Sequence, residues 1–343
     1  MKKTINTQLQ QKIYGSIMGT ALGDSIGLPF EGLSRQKIAK KNPTFENQSL
    51  IFKYGMFSDD TEQTLSVAQS LIESYNDEKI FEKGIKKRLK LWFLALPAGV
   101  GMATMKAIVK SFFIKDAGVF SAGNAPAMRS ALLGLLFGND NEQLEKFVYI
   151  NTTVTHTDPK AYYGALSVAK ATYLASLHRE DEFFEEMYLL VEDKEFRELL
   201  DGVKENLNIS TSDFAKLLGL EKGVGGYIYF TLPIVLHSWL RNRDDIKSAI
   251  IDVVRCGGDT DTTGAIVGSI IGARVEKLPQ KWIDGIVDFP RNEAFIEKVS
   301  YELASVFTDK KPRKAPRLSG LAIVVRNFLF LVIVLVVGVL RLL

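Results

Sequence analysis

Glycine recurs at every fourth position in two well-separated stretches: Gly15, Gly19 and Gly23 in QLQQKIYGSIMGTALGD, and Gly264, Gly268 and Gly272 in GGDTDTTGAIVGSIIGA. Fourfold spacing puts each set on one face of a helix. Glycine costs a helix interior about 1 kcal/mol per residue relative to alanine, so a stripe of it is expected where a second backbone must come very close. The first stretch lacks the length and the purely apolar character of a membrane span and is placed in the core of a soluble domain. An apolar fraction of 46% over 343 residues is ordinary for a folded protein of one large or two modest domains. Helical patterns recur throughout, and the best of the few strand signals is SLIFKYG near residues 49–55. The expectation is a mostly helical domain over residues 1–308, a basic linker over 309–317 and a hydrophobic tail over 318–343.

The second stripe opens with Gly257 and Gly258 in a turn, then Asp259 and Asp261 among Thr260, Thr262 and Thr263. A helix N-terminus has unpaired amides and a dipole that favours negative charge. One cap needs one side chain, and this turn carries more oxygen than that. Hard oxygen donors suit Mg²⁺, Mn²⁺ or Ca²⁺, and the absence of His and thiol from the motif disfavours zinc. A capped helix and a cation-binding turn are both open readings. The same holds for YGMFSDDTEQT, where Ser58 is positioned to cap a helix whose first turn holds Asp59, Asp60 and Thr61. Both carboxylates reach one ion only at such a start; ordinary acidic enrichment is the alternative.

Other candidates lie between these motifs. Asp24 ends the first helix pattern, and the loop SIGLPFE displays Glu31. Residues 91–113 read as a helix, a Gly/Pro loop and a second helix. A turn at Gly123, Asn124 and Pro126 leads into a helix bearing Arg129; it fits either an anionic ligand or an ordinary entry with an ion-paired Arg. His156 and Asp158 stand at the entrance of a long helix, as a general base, a ligand-positioning pair or a capping network. Tyr227 follows the loop of Gly223, Gly225 and Gly226, placed to stack on a planar ligand or to pack in the core. The single cysteine, Cys256, excludes an internal disulfide and reads as a buried core thiol.

The formal net charge of +3 is uneven. From Asp309 onward seven Lys or Arg face one Asp, so the remainder carries −3. A mildly acidic body argues against nucleic acid as the main partner. Leu321–Leu340 is long enough to cross a bilayer core of about 30 Å, which takes roughly 20 helical residues, if Arg326 and Asn327 lie near an interface where Arg snorkels. The tail therefore predicts a membrane anchor, and the basic run before it predicts a cytoplasmic body. A buried terminal helix and an in-plane helix are the alternatives. The N-terminal Lys2, Lys3 and polar segment have no signal-peptide apolar core.

Taken in order, GTALGDSIGLPFE, FSDDTEQT, SAGNAPAMRS, THTD and GGDTDTTGAIVGSIIG resemble the ADP-ribosylglycohydrolase family across nearly all of residues 10–275. The resemblance implies a compact, all-α, orthogonal multi-helix fold with two divalent cations, Mg²⁺ or Mn²⁺. It assigns Ser58, Asp59, Asp60, Asp259, Asp261 and Thr262 as metal ligands, Ser58 standing where many members have Thr. It assigns the catalytic acid or base to Glu31 or Asp60, and substrate contacts to Gly123, Asn124, His156 and Tyr227. The implied reaction is hydrolysis at C1 of the distal ribose of ADP-ribose attached to a protein or a small conjugate. PAGVG, Pro97–Gly101, has Ala98 and Gly99 where the family commonly has an acidic residue, and Ala125 replaces a frequent Gly; both departures bear on the acceptor.

Overall fold

The two glycine stripes pack against each other. The computed structural model describes residues 6–41 and 43–340; residues 1–5, Asn42 and the last three residues of the expected tail, Arg341–Leu343, lie outside it. The longer helices in chain order are Thr7–Gly27 (α1), Asp59–Ser74 (α2), Glu78–Leu94 (α3), Met102–Ser111 (α4), Pro159–Ser176 (α5), Ile228–Arg241 (α6), Ile246–Cys256 (α7), Thr260–Gly272 (α8), Glu293–Asp309 (α9) and Gly320–Leu340 (α10), with shorter helices between them. Among the described residues, β pairing is confined to isolated bridges. The fold is all-α.

α1 and α8 run antiparallel, Gly15 against Gly272, Gly19 against Gly268 and Gly23 against Gly264. A methyl group on Gly19 would stand 2.1 Å from the Gly268 carbonyl oxygen, and one on Gly268 would stand 2.2 Å from that of Gly19. Only glycine permits that approach. At the end of the stripe Gly27 meets the first turn of α8, where the Thr260 hydroxyl donates to the Gly27 carbonyl at 2.8 Å. Around this pair the apolar faces of the neighbouring helices form one continuous core, including Ile13, Ile17, Leu65, Ile72, Val235 and Ile270.

Local sequence readings meet the structure unevenly. Residues 91–113 form the end of α3, a loop and α4, as expected. SLIFKYG is no strand: Ile51 and Tyr54 pair only with each other across a tight turn. α1 does not stop at Asp24 but continues to Gly27, so the Asp24 carboxylate is fully buried.

The tail returns to the body. Its basic approach is pinned along α2: the Arg313 amide donates to the Ile72 carbonyl at 2.9 Å, and Gln69 Nε2 donates to the Pro316 carbonyl at 2.6 Å. α10 then presents two opposed stripes. Arg326, Asn327 and Phe330 are buried against the body, with Ile333, Val334 and Val337 beside them over Leu28, Leu50 and Met56. Leu321, Val325, Phe328, Leu329, Val332 and Leu335 face outward and are exposed. The two polar residues expected at a membrane interface are thus turned into the protein.

Candidate active site

The glycine zipper delivers the start of α8 to the end of α1, and the start of α2 is built on the same spot. Both Asp24 oxygens accept from the Ser58 amide, at 2.8 and 2.9 Å, and one also accepts from the Thr61 amide and hydroxyl at 3.1 and 2.6 Å. A buried side chain of α1 therefore caps α2. Ser58 is the residue at the cap position, yet its own hydroxyl makes no capping bond; it points 3.3 Å from Asp60 Oδ2, which also lies 3.3 Å from the Thr262 hydroxyl of α8. Residues about 200 apart in sequence are joined at this carboxylate.

The turn before α8 is held from both sides. Gly257 and Gly258 take positive φ, 75° and 86°, which L side chains rarely adopt. The Gly258 amide donates to the Leu33 carbonyl at 2.8 Å, and the Asp259 amide donates to the Val224 carbonyl at 2.7 Å. These bonds bring the Glu31 loop and the 223–226 loop to the two sides of Asp259. Asn124 adds a third wall, its Nδ2 donating to Asp259 Oδ2 at 2.7 Å and to Thr231 at 3.0 Å.

The result is a cleft of about 570 Å³ lined by Glu31, Asp59, Asn124, His156, Asp259 and Asp261, among others including Gly123 and Thr262. Most of the residues predicted from sequence converge here. Asp60 and Ser58 lie beneath the cleft floor, both buried. Tyr227 lies behind the lining rather than in it: Lys160 Nζ donates to its hydroxyl at 3.1 Å, and its ring packs edge-on against Phe230. Gly225 and Gly226 form the wall in its place. Gly99, from the loop where the family pattern commonly carries an acid, approaches Asp59.

The electrostatics are those of crowded acids. Burial first, then Asp24, Glu62, Asp259 and Glu31, raises the Asp59 pKa well above the usual carboxylate value. Asp60 is raised by burial and by Asp59, Asp24 and Asp259; Asp261 is raised by burial and by Glu31, Asp259 and Asp60. Burial lifts Asp24 to about 7 against the opposing hydrogen bonds it accepts. Among the described residues, no group of three or more His, Cys, Asp and Glu side chains is closed into a metal-ligand shell. The donor chemistry nevertheless fits a hard divalent cation: Asp60 Oδ1 and Asp261 Oδ1 are buried with no hydrogen-bond partner, and repelling carboxylates with adjacent hydroxyls are what such an ion binds.

Three residues organise this site: Asp24, read from sequence as a helix end, Arg129, read as an anion-binding or ion-paired side chain, and Gln63, which sequence reasoning passed over. Arg129 is fully buried, and among the described residues its hydrogen bonds go to neutral groups. Its guanidinium donates to Gln63 Oε1, to Asn151 Oδ1 and the Asn151 carbonyl, and to the Thr155 hydroxyl at 2.7 Å. Gln63 passes the contact on to Asp59 at 2.9 Å, and Thr155 passes it to His156 Nδ1 at 2.9 Å. One buried cation thus ties two walls of the cleft together; burial lowers its own pKa to about 9. Cys256 is buried, and burial pushes its thiol up to about 12, so it is the core thiol expected.

The fold and the acidic cleft define an all-α hydrolase of the glycohydrolase type. The chain belongs to the ADP-ribosylglycohydrolase family, which matches it over residues 5–313, and it has that family's general hydrolytic function. It is 31% identical over 307 residues to an uncharacterized protein of Archaeoglobus fulgidus, covering 86% of this chain and 96% of that one. It is 26% identical to the ADP-ribosylhydrolase ARH3 of Gallus gallus, covering 78% and 87%, and 25% identical to the ADP-ribosyl-[dinitrogen reductase] glycohydrolase of Rhodospirillum rubrum, covering 80% and 90%. A solved structure titled ADP-ribosylglycohydrolase-related protein complex shares the fold, with a TM-score of 0.68 at 23% identity over 87% of this chain and 98% of that one.

Proposed function

We propose that this protein is a dinuclear-metal-dependent hydrolase that cleaves the N- or O-glycosidic bond from C1 of the distal ribose of ADP-ribose to a protein side chain, or the same bond in a related ADP-ribose conjugate. The observation that carries the reading is the convergence of two acidic helix starts, with the buried, unpartnered oxygens of Asp60 and Asp261 between them. Ser58, Asp59 and Asp60 on one side and Asp259, Asp261 and Thr262 on the other are the residues we assign to hold Mg²⁺ or Mn²⁺. When bound, such ions supply Lewis-acid stabilisation of the charge that develops as the glycosidic bond breaks.

Proton transfer is assigned to Glu31, which is exposed at the cleft, rather than to Asp60, which is buried below it. In the overall step a water oxygen bonds to C1 while the C1–acceptor bond breaks; the leaving atom keeps the electron pair and takes a proton, and the water gives one up. Asn124, its amide nitrogen committed to Asp259 and Thr231, and Gly123 shape the cleft wall assigned to the ribose and pyrophosphate. His156 borders the same wall as a neutral contact. Tyr227 is assigned an indirect part, through the loop it anchors. The catalytic unit is placed in residues 1–308, with 309–317 as a basic approach and 318–343 as a membrane-attached tail.

The test is release of ADP-ribose by the full chain from ADP-ribosyl-arginine, ADP-ribosyl-serine and O-acetyl-ADP-ribose, with Mg²⁺ or Mn²⁺ and with chelator. Release from at least one substrate, abolished by chelator and by Asp259→Asn, is expected. Binding of ADP-ribose without release under any metal condition would replace this reading with a non-catalytic binding role.

We further infer that the tail attaches the protein to a membrane with its body on the cytoplasmic side. The support is a helix of mean hydropathy 2.7 over Gly320–Gly338, mostly exposed, preceded by Lys310, Lys311, Arg313, Lys314 and Arg317. With Arg326 and Asn327 turned inward, the outward stripe is the surface assigned to lipid.

A further inference from the structure

We propose that Arg326, on the tail helix and beyond the stretch that matches the family, is a positioning residue for the active site: it clamps the start of α2, the segment that carries Ser58, Asp59 and Asp60. This rests on the hydrolase reading of that site. The guanidinium brackets the segment from both ends. Nη2 donates to the Phe57 carbonyl at 2.5 Å, immediately before Ser58, and Nη1 donates to Glu62 Oε1 at 2.8 Å, two residues after Asp60. Its remaining bonds go to Asp288, from Nε at 3.2 Å and from Nη2, and to the neighbouring Asn327 Oδ1 at 3.3 Å.

The clamp is buried and charge-balanced. Arg326 is 4% exposed, Glu62 3% and Asp288 2%. Arg291 meets the same Glu62 oxygen at 2.6 Å, and Trp92 Nε1 donates to the other at 2.5 Å. Two cations thus face two carboxylates. The guanidinium is also stacked, 4.5 Å from the Phe330 ring centre and 5.6 Å from that of Phe57, and Asn327 ties the helix to the Ala95 carbonyl at 2.8 Å. A planar fork reaches the Phe57 carbonyl, Glu62 and Asp288 together; an ammonium group is a single point and does not. Without the clamp, two buried carboxylates share one Arg directly behind a site already crowded with acids, and the Phe57 carbonyl loses this donor.

A helix anchored only for attachment has no need of this contact. The geometry instead makes the tail part of the scaffold that fixes where the α2 carboxylates stand, while the opposite wall, with Asn124 and His156, does not touch it. Removing the clamp should therefore act on cation binding and turnover more than on substrate affinity.

The experiment uses the full chain in detergent micelles as the parent, Arg326→Gln and Arg326→Lys. Amide hydrogen exchange is read at Ser58, Thr61 and Glu62, Mn²⁺ affinity by calorimetry, and kcat and KM on whichever conjugate is cleaved. For Arg326→Gln the expected result is exchange at those amides at least tenfold faster, Mn²⁺ affinity at least tenfold weaker, and a fall in kcat with KM within threefold. Arg326→Lys falls between. Exchange and Mn²⁺ affinity within twofold of the parent in both variants overturn the proposal, and so does a uniform rise in exchange over the whole chain, which assigns Arg326 to general stability. If Arg326→Gln does not fold, Arg326→Lys decides by the same readings. If the parent binds no Mn²⁺ or releases no ADP-ribose, the hydrolase reading fails and local exchange alone decides for the clamp.

Discussion

The His156 imidazole is buried in the cleft wall beside Arg129, and burial, then the charge of Arg129, lowers its pKa from 6.5 to about 3. It is therefore neutral at every pH at which the protein is expected to work, which leaves it a hydrogen-bonding contact and removes it as the source of a pH-rate limb near 6.5. The unfolded chain takes up a proton at this residue below 6.5, whereas the folded chain does not until about 3. The stability His156 contributes is thus present above 6.5 and is lost as pH falls from there toward 3. Between pH 7 and 5 the parent should lose about 2 kcal/mol more than His156→Gln, read by denaturant unfolding at both values; equal losses would show that this imidazole does not carry the slope. The spacing of THTD marks His156 but not this neutrality, because Arg129 lies 27 positions earlier and reaches it only through Thr155. The burial of Asp24 is illegible in sequence for a related reason. A carboxylate next to Gly23 looks like a helix end, and only the α2 cap it serves, 34 residues on, explains why it is buried.

At the scale of elements, the sequence period identifies a face and says nothing of its partner. The two glycine stripes are each legible as close-contact helices, but that they meet each other, in opposite directions, emerges only from the fold. Gly268→Ala should cost about 2–3 kcal/mol, since its methyl group meets the backbone of α1 and neither helix can move away without opening the core. Gly202→Ala, in a helix whose glycine faces open space, should raise stability by about 0.5–1 kcal/mol. Denaturant midpoints of the two variants check the opposite signs; a neutral Gly268→Ala would mean that the helices are not in backbone contact. The strand expected at 49–55 failed because β-like composition in a short apolar run needs a neighbouring strand, and here the segment folds back on itself.

For the molecule as a whole, composition predicted the tail's apolar character, while Arg326 and Asn327 read as interruptions of a span. Their partners, Glu62, Asp288 and the Ala95 carbonyl, are far away in sequence, so nothing near them announces a docking face. Under the attachment proposed above, the remaining outward stripe is the face that meets lipid. The full chain should therefore float with anionic lipid vesicles, and replacing Leu329, Val332 and Leu335 by Ser should leave it in solution with Arg326 still docked. Parent and variant partitioning alike without detergent would sink the membrane assignment. The pairing of α1 with α8 also sets an order of events during synthesis. α1 is synthesised about 240 residues before α8, the helix it pairs with, exposing a bare backbone groove meanwhile, and closing so long a loop is slow. A nascent or truncated chain ending before residue 260 has no α8 and no surface for the α1 glycine stripe, so the acidic cleft cannot assemble until that helix has been made.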